Sequence, residues 1–149
     1  MNIEEKKQNI LKDCEYFLNK VIEDVKLKNN FYTLDKFKRT KDIGKIKGIY
    51  FFIQNENIVY IGQGVKLRER ILQELRLYRK TSKGNNGGTL SKNIQSEENQ
   101  TFDEQKDYEK FIKLWKLYII DINTFKINID ILESLLIELY VPKYNLKGK

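Results

Sequence analysis

The apolar positions of the chain fall into blocks with different periods. Between residue 4 and about residue 27, Ile10, Leu11, Cys14, Phe17, Leu18, Val21, Ile22 and Val25 recur at three- and four-residue spacing. That stripe predicts one amphipathic helix, with Cys14 buried in it as a small hydrophobe and Asn29-Asn30 as its end. Phe31, Leu34 and Phe37 predict a short amphipathic segment, closed by the charged stretch at 36–42. The texture changes at Gly44. Residues 49–53 are aromatic and β-branched, residues 54–57 predict a turn, and residues 58–61 predict the returning strand, broken by Gly62 and Gly64. From about Lys66, Leu67, Ile71, Leu75 and Tyr78 mark one side of a second helix.

Residues 81–110 are polar and hold Gly84, Gly87 and Gly88. They predict a flexible insertion with a helical turn at 89–94 and a solvent-facing acidic stretch at 97–109. Residues 111–122, with Leu114, Trp115, Leu117, Tyr118, Ile119 and Ile120, predict a third, buried strand. A last helix is expected from about Asp130 to Tyr140, terminated by Pro142. The pattern shows no internal repeat.

Composition narrows the chemistry more than the fold. The chain has 149 residues, 40% of them hydrophobic and 33% charged, which is the balance of a single globular domain. It contains no histidine and one cysteine. Ser-His-Asp and Cys-His nucleophiles, His-based metal sites and an intrachain disulfide are therefore excluded. Any catalysis falls to Tyr, Lys, Arg, Asp, Glu, Ser or a hard cation. The net charge of +7 is uneven: residues 28–80 carry +8, and the remaining segments are close to neutral. A basic block of this kind suits a phosphate backbone, and a solvated lysine-rich face is its plain alternative. No apolar run reaches the ~20 residues of a membrane span, and the first residues are too acidic and polar for a signal peptide. A cytoplasmic, intracellular protein is expected.

Four ordered blocks then stand out: Gly48-Ile49-Tyr50; Tyr60-Ile61-Gly62; Leu67 with Arg70; and Leu132-Glu133-x-x-Leu136-Ile137 followed by Pro142-x-Tyr144-Asn145. Together, over roughly residues 46–80 and 113–146, they resemble the GIY-YIG nuclease family. The resemblance implies an α+β fold: a small three-stranded antiparallel sheet flanked by helices, here with an added N-terminal helix (1–43) and an insertion (81–110) in a core of 44–146. It implies a Mg²⁺- or Mn²⁺-dependent endonuclease acting on DNA, most simply double-stranded DNA. Tyr50 would act as general base or orient the attacking water, and Tyr60 would support the phosphate and its waters. Arg70 would bind the scissile phosphate, Glu133 would bind the metal, and Asn145 would help hold the site together. Gly48 and Gly62 would be structural.

Residue chemistry is compatible with these roles. A guanidinium suits phosphate oxygens, and Mg²⁺ keeps several waters, so one carboxylate can hold it. A phenol at its reference pKa of ~10 is a poor base at neutral pH. Tyr50 would therefore need a cation or a lysine to lower it, with Lys47 as the candidate neighbour. The nucleic-acid contacts expected are Lys45, Lys47, Gln63, Lys66, Arg68 and Lys92, with Lys36, Lys38, Arg39 and Lys41 feeding toward the site. Gln63 stands where many family members have a basic residue, so Lys66 or Arg68 would replace that contact. Lys83 and the segment around Lys92 could reach a groove or form an inert loop. Each residue also has a plainer reading: Tyr50 and Tyr60 as sheet packing, Arg70 as a solvated helix residue, Asn145 as a turn residue. Asp130-x-x-Glu133 has capping-box spacing, which would spend Glu133 on its own helix. The rival functions are a non-catalytic nucleic-acid-binding module that kept the fold and a nuclease acting on RNA. Cutting both strands of a duplex would need a homodimer or two sequential cuts. The N-terminal helix is a candidate interface, and packing on its own domain is the preferred account of its stripe.

Overall fold

The computed structural model describes residues 2–43, 45–81, 84–123 and 127–146. Gly44 and Lys83, both singled out above, lie outside the described residues. The first helix, α1 (Ile3–Leu27), starts at Asn2, whose side chain accepts from the Glu5 amide. It ends at Lys28, which takes the left-handed conformation at φ 57°. The two-residue strand β1 (Tyr32–Thr33) runs into α2 (Leu34–Arg39), capped by the Thr33 hydroxyl. The hairpin β2 (Gly48–Gln54) and β3 (Asn57–Gly64) follows, turning at Asn55 with φ 57°.

Next come α3 (Leu67–Glu74), the small hairpin β4 (Arg79–Thr81) and β5 (Gly84–Asn86), α4 (Thr89–Glu97), α5 (Gln105–Ile112), β6 (Lys116–Asp121) and α6 (Ile129–Tyr140). The main sheet is antiparallel with strand order β1-β6-β2-β3. Four strands replace the three expected, because Tyr32 and Thr33 pair with Leu117 and Lys116. A two-residue strand has too few positions to write an alternation in the sequence.

Strand alternation divides the hydrophobic core in two. Ile49, Phe51 and Ile53 of β2, with Ile58 and Ile61 of β3 and Tyr118 and Ile120 of β6, face α1 and α6 and meet Phe17, Val21, Leu132 and Leu136. Tyr50 and Phe52, with Val59 and Tyr60, face the opposite layer of α2, α3, α4 and α5. Strict alternation would put Ile58 and Tyr60 on one face. Instead the β2–β3 register shifts: Phe52 pairs with Tyr60, Ile53 pairs with Ile58, and Val59 is the extra residue. The bulge re-aims Tyr60 to the side that carries Tyr50.

Four further sequence expectations need correction. Residues 81–110 build β5, α4 and much of α5 and bury Leu90, Ile94 and Tyr108 in the core, so they are not a loop added to it. Their polar composition hid three apolar anchors. The apolar run at 111–122 is the end of α5 followed by β6; Phe111 and Ile112 belong to the helix. Gly62 and Gly64 do not break β3, since Tyr50 pairs with Gly62 and Gly48 with Gly64. Helix α3 is also shorter than its pattern, ending before Tyr78.

Among the described residues no helix is long and apolar enough to cross a membrane. Helix α1 packs Phe17 and Val21 onto its own sheet, as preferred above, while Ile10, Leu11 and Ile22 of its stripe stay exposed.

Candidate active site

The site is built where β2, β3, α3 and α6 approach one another. Tyr50 is fully buried, and its hydroxyl donates to Glu74 Oε2 at 2.9 Å. Arg70 lies one helical turn before Glu74 on α3 and directs its Nε–H at the Tyr50 oxygen, 3.4 Å away. Tyr60 lies beside Tyr50, with ring centroids 6.3 Å apart, and its hydroxyl also engages Glu74. Gly62 is opposite Tyr50 in the register, and a Cβ there would lie 2.3 Å from the Tyr50 hydroxyl. The absent side chain is the room in which the phenol sits. Gly48 has a different reason: a Cβ would lie 2.1 Å from the Ile120 carbonyl oxygen of β6.

The electrostatics run against a phenolate. Burial pushes Tyr50 far above the ordinary phenol range, the Glu74 charge and Tyr60 add to the rise, and Arg70 opposes it. Tyr60 is raised for the same leading reason, by burial and then Glu74. Among the described residues no lysine acts on Tyr50, and Lys47 precedes a strand whose odd positions face the other layer. The expected help from Lys47 is absent. Arg70 is stabilised as a cation first by its hydrogen bond to Tyr50.

Glu133 is half-buried on α6. Burial raises its pKa first; a hydrogen bond with Gln63 lowers it, the Asp130 charge raises it and Arg70 lowers it. The capping-box alternative fails. Helix α6 begins one residue earlier than expected and is capped by Asn128, whose side chain accepts from the Asp130 and Ile131 amides. The Asp130 carboxylate instead accepts from Gln63 Nε2 at 2.6 Å. Gln63 thus turns its amide toward the two acids of α6. Among the described residues no group of three or more His, Cys, Asp or Glu is arranged to hold a metal ion.

Asn145 holds the edge of the sheet. Its amide oxygen accepts from the Ile61 N–H and its amide nitrogen donates to the Ile61 carbonyl, both at 2.8 Å. The Tyr144 N–H donates to the carbonyl of Val59, the bulged residue. These bonds fix β3 on either side of Tyr60.

The expected nucleic-acid contacts separate in space. Gln63 and Lys66 line a cleft of about 360 Å³ with Arg70, Glu69 and Gln73. Arg68 does not reach it: its guanidinium lies 5.7 Å over the Phe37 ring and donates to the Lys38 carbonyl. Lys45 is exposed at the loop before β2, and its carbonyl accepts from Asn123; the Lys47 amide donates to the same side chain. Lys92 lies on α4 over the Tyr78 ring, in a separate cleft with Arg79 and Lys80. Lys36 sits over the Tyr32 ring, with its Nζ 5.9 Å from the centroid.

Sequence reasoning passed over Glu74. It falls four residues after Arg70 in the α3 pattern, the spacing that puts two side chains on one helix face, and that was the available signal.

No family model matches the chain, and no curated protein matches it. Among solved structures it is similar to the GIY-YIG N-terminal endonuclease domain of UvrC from Thermotoga maritima. A point mutant of that domain bound to its catalytic divalent cation aligns at 21% identity over 75% of this chain and 98% of that one, with a TM-score of 0.40. The magnesium-bound domain aligns at 22% identity over the same shares, with a TM-score of 0.38.

Proposed function

We propose that this chain is a divalent-metal-dependent nuclease that hydrolyses phosphodiester bonds in DNA. One observation carries the reading: Arg70 of α3 directs its Nε–H at the buried Tyr50 oxygen of β2, Tyr60 of β3 lies beside that ring, and the half-buried Glu133 of α6 feels the charge of Arg70. Sheet packing alone does not call for an arginine at a buried phenol oxygen beside a half-buried acid. On this reading Arg70 binds the scissile phosphate from the open cleft and offsets the charge of the transition state. Tyr50 and Tyr60 orient the attacking water.

The donor chemistry at Glu133 fits Mg²⁺ or Mn²⁺. It is a hard oxygen ligand whose own burial and the adjacent Asp130 disfavour its charge, so a cation would relieve it. Bound there, the cation would supply Lewis-acid stabilisation of the phosphate oxygens. Lys66 and Gln63 border the cleft, and Lys45 and Lys47 would extend the backbone contact. A second copy of the chain or a second turnover would cut the other strand.

The test is incubation of the protein with plasmid, linear duplex, single-stranded DNA and RNA, each with Mg²⁺, Mn²⁺ or EDTA. Cleavage of duplex DNA that EDTA stops is expected. Glu133→Gln should lower it by about 1,000-fold while salt-sensitive DNA binding persists. Equal nicking by the wild type and Glu133→Gln would overturn the assignment, and cleavage of RNA alone would move the substrate.

A further inference from the structure

The Glu74 carboxylate is fully buried, and four elements are shaped around it. Its Oε2 accepts from Tyr50 of β2, and its Oε1 accepts from the Leu90 N–H of α4 at 3.3 Å. Tyr60 of β3 engages it as well. Tyr108 of α5 donates its hydroxyl to the Glu74 backbone carbonyl at 2.7 Å. Gly88 leaves space for it, since a Cβ there would lie 2.6 Å from Oε1. Arg70, on its own helix, is the cation that senses it, and among the described residues no lysine or arginine forms an ion pair with it. A buried carboxylate held by neutral donors is expensive to keep, and a glutamine or an apolar residue would pack there at lower cost.

The polarity of the network is fixed. Tyr50 donates its one proton to the Glu74 carboxylate, so its lone pairs are left for Arg70, which itself lines the cleft. Any further partner of the Tyr50 oxygen must be a donor. Arg70 fills that place over a long 3.4 Å contact, which is easily exchanged when the guanidinium engages a phosphate. A water that takes the place of the Arg70 Nε–H would then donate to Tyr50, while Tyr50 already donates to Glu74.

We infer that Glu74 is a positioning residue that acts through Tyr50 as the proton acceptor for the attacking water. The inference rests on the nuclease reading above. In the step, the water oxygen bonds to phosphorus, and the water proton passes to the Tyr50 oxygen. The Tyr50 proton passes to Glu74 Oε2. The bond from phosphorus to the leaving oxygen breaks, and that oxygen takes a proton from solvent. Glu74 returns its proton through Tyr50 to solvent after product leaves. Tyr50 therefore never needs to exist as a free phenolate, the species its burial disfavours.

The test compares the wild type, Glu74→Gln, Tyr50→Phe and the double variant on duplex DNA with saturating Mg²⁺. Glutamine keeps the shape and can still accept from Tyr50, but it cannot take the proton. Glu74→Gln should lower kcat by about 100-fold or more with KM nearly unchanged, and its kcat should rise with hydroxide concentration more steeply than the wild type's. The double variant should be no slower than the slower single variant, because both remove one relay. A proton inventory on the wild type covers the case in which Glu74→Gln does not fold. Two protons in flight give a curved dependence of kcat on the D₂O fraction. A linear inventory, wild-type kcat in Glu74→Gln, or additive losses in the double variant would each overturn the inference. Absence of cleavage by the wild type would instead overturn the nuclease reading itself.

Discussion

The two faces of one sheet do different work with alternating residues of the same strands. On the face under α1 and α6, Ile49, Phe51 and Ile53 meet Phe17, Val21, Leu132 and Leu136. Its notable polar contact is the Tyr118 hydroxyl donating to Asp24, a residue also reached by Lys20. On the opposite face Tyr50 and Tyr60 lie among Phe52, Leu67 and Ile71 and share a buried carboxylate. The first face is nearly all apolar area, whose worth depends on volume and little on direction. The second has fixed donors and acceptors, whose worth depends on angle and protonation. On the proposed function, stability and chemistry are interleaved along β2 one residue apart and should be separable by single substitutions.

The largest expected effect is on the apolar face. Phe51→Ala removes a fully buried ring and should cost about 3–5 kcal/mol in urea unfolding. Cleavage per folded molecule should stay near that of the wild type, and a matching loss of both would show that the faces are coupled. Gly62→Ala is the reciprocal change: its methyl collides with the Tyr50 hydroxyl and should cost about 1–3 kcal/mol by overpacking. Here activity should fall by more than stability explains. Unchanged cleavage in folded Gly62→Ala would mean that the Tyr50 position is not critical.

Tyr118→Phe leaves Asp24 without its phenol donor and should cost about 1–2 kcal/mol, read as a lower urea midpoint with cleavage intact. The smallest effect is at Glu98, which its ion pair with Lys143 and the Tyr144 hydroxyl hold below the usual carboxylate range. A carboxyl lowered by folding stabilises the native state above its unfolded pKa, and that contribution fades as pH falls through the lowered folded value. Lys143→Met should flatten this acid-side slope slightly and leave neutral-pH cleavage alone. A steeper slope in Lys143→Met would reverse the assigned sign.

The strand itself was legible in β2, but residues 49–53 are apolar or aromatic throughout, so its two faces separate only in the structure. The faces of β3 were not legible either. Alternation from Ile58 would carry Tyr60 to the apolar face, and only the bulge at Val59, visible through pairing with β2, puts it beside Tyr50. The motif residues could be read from their order and spacing along the chain. Glu74 showed only its spacing from Arg70; its burial was not legible, because its environment comes from α4 and α5, the stretch whose polar composition reads as a loop. Gln63 was read as a nucleic-acid contact, while its amide binds Asp130, a partner 67 residues away that local pattern does not reveal.

The short stretch after α6 has a consequence for how copies of this protein meet. β3 is the last strand of its sheet, and such a strand ordinarily offers its free backbone groups to any extended chain that comes near. Here one asparagine amide supplies both a donor and an acceptor to Ile61, as a neighbouring strand would, and the Tyr144 amide takes the Val59 carbonyl. A side chain thus closes the template beside the Tyr60 motif. Asn145→Ala should reopen it, and the first symptom would be self-association through β3 at high concentration rather than slower chemistry.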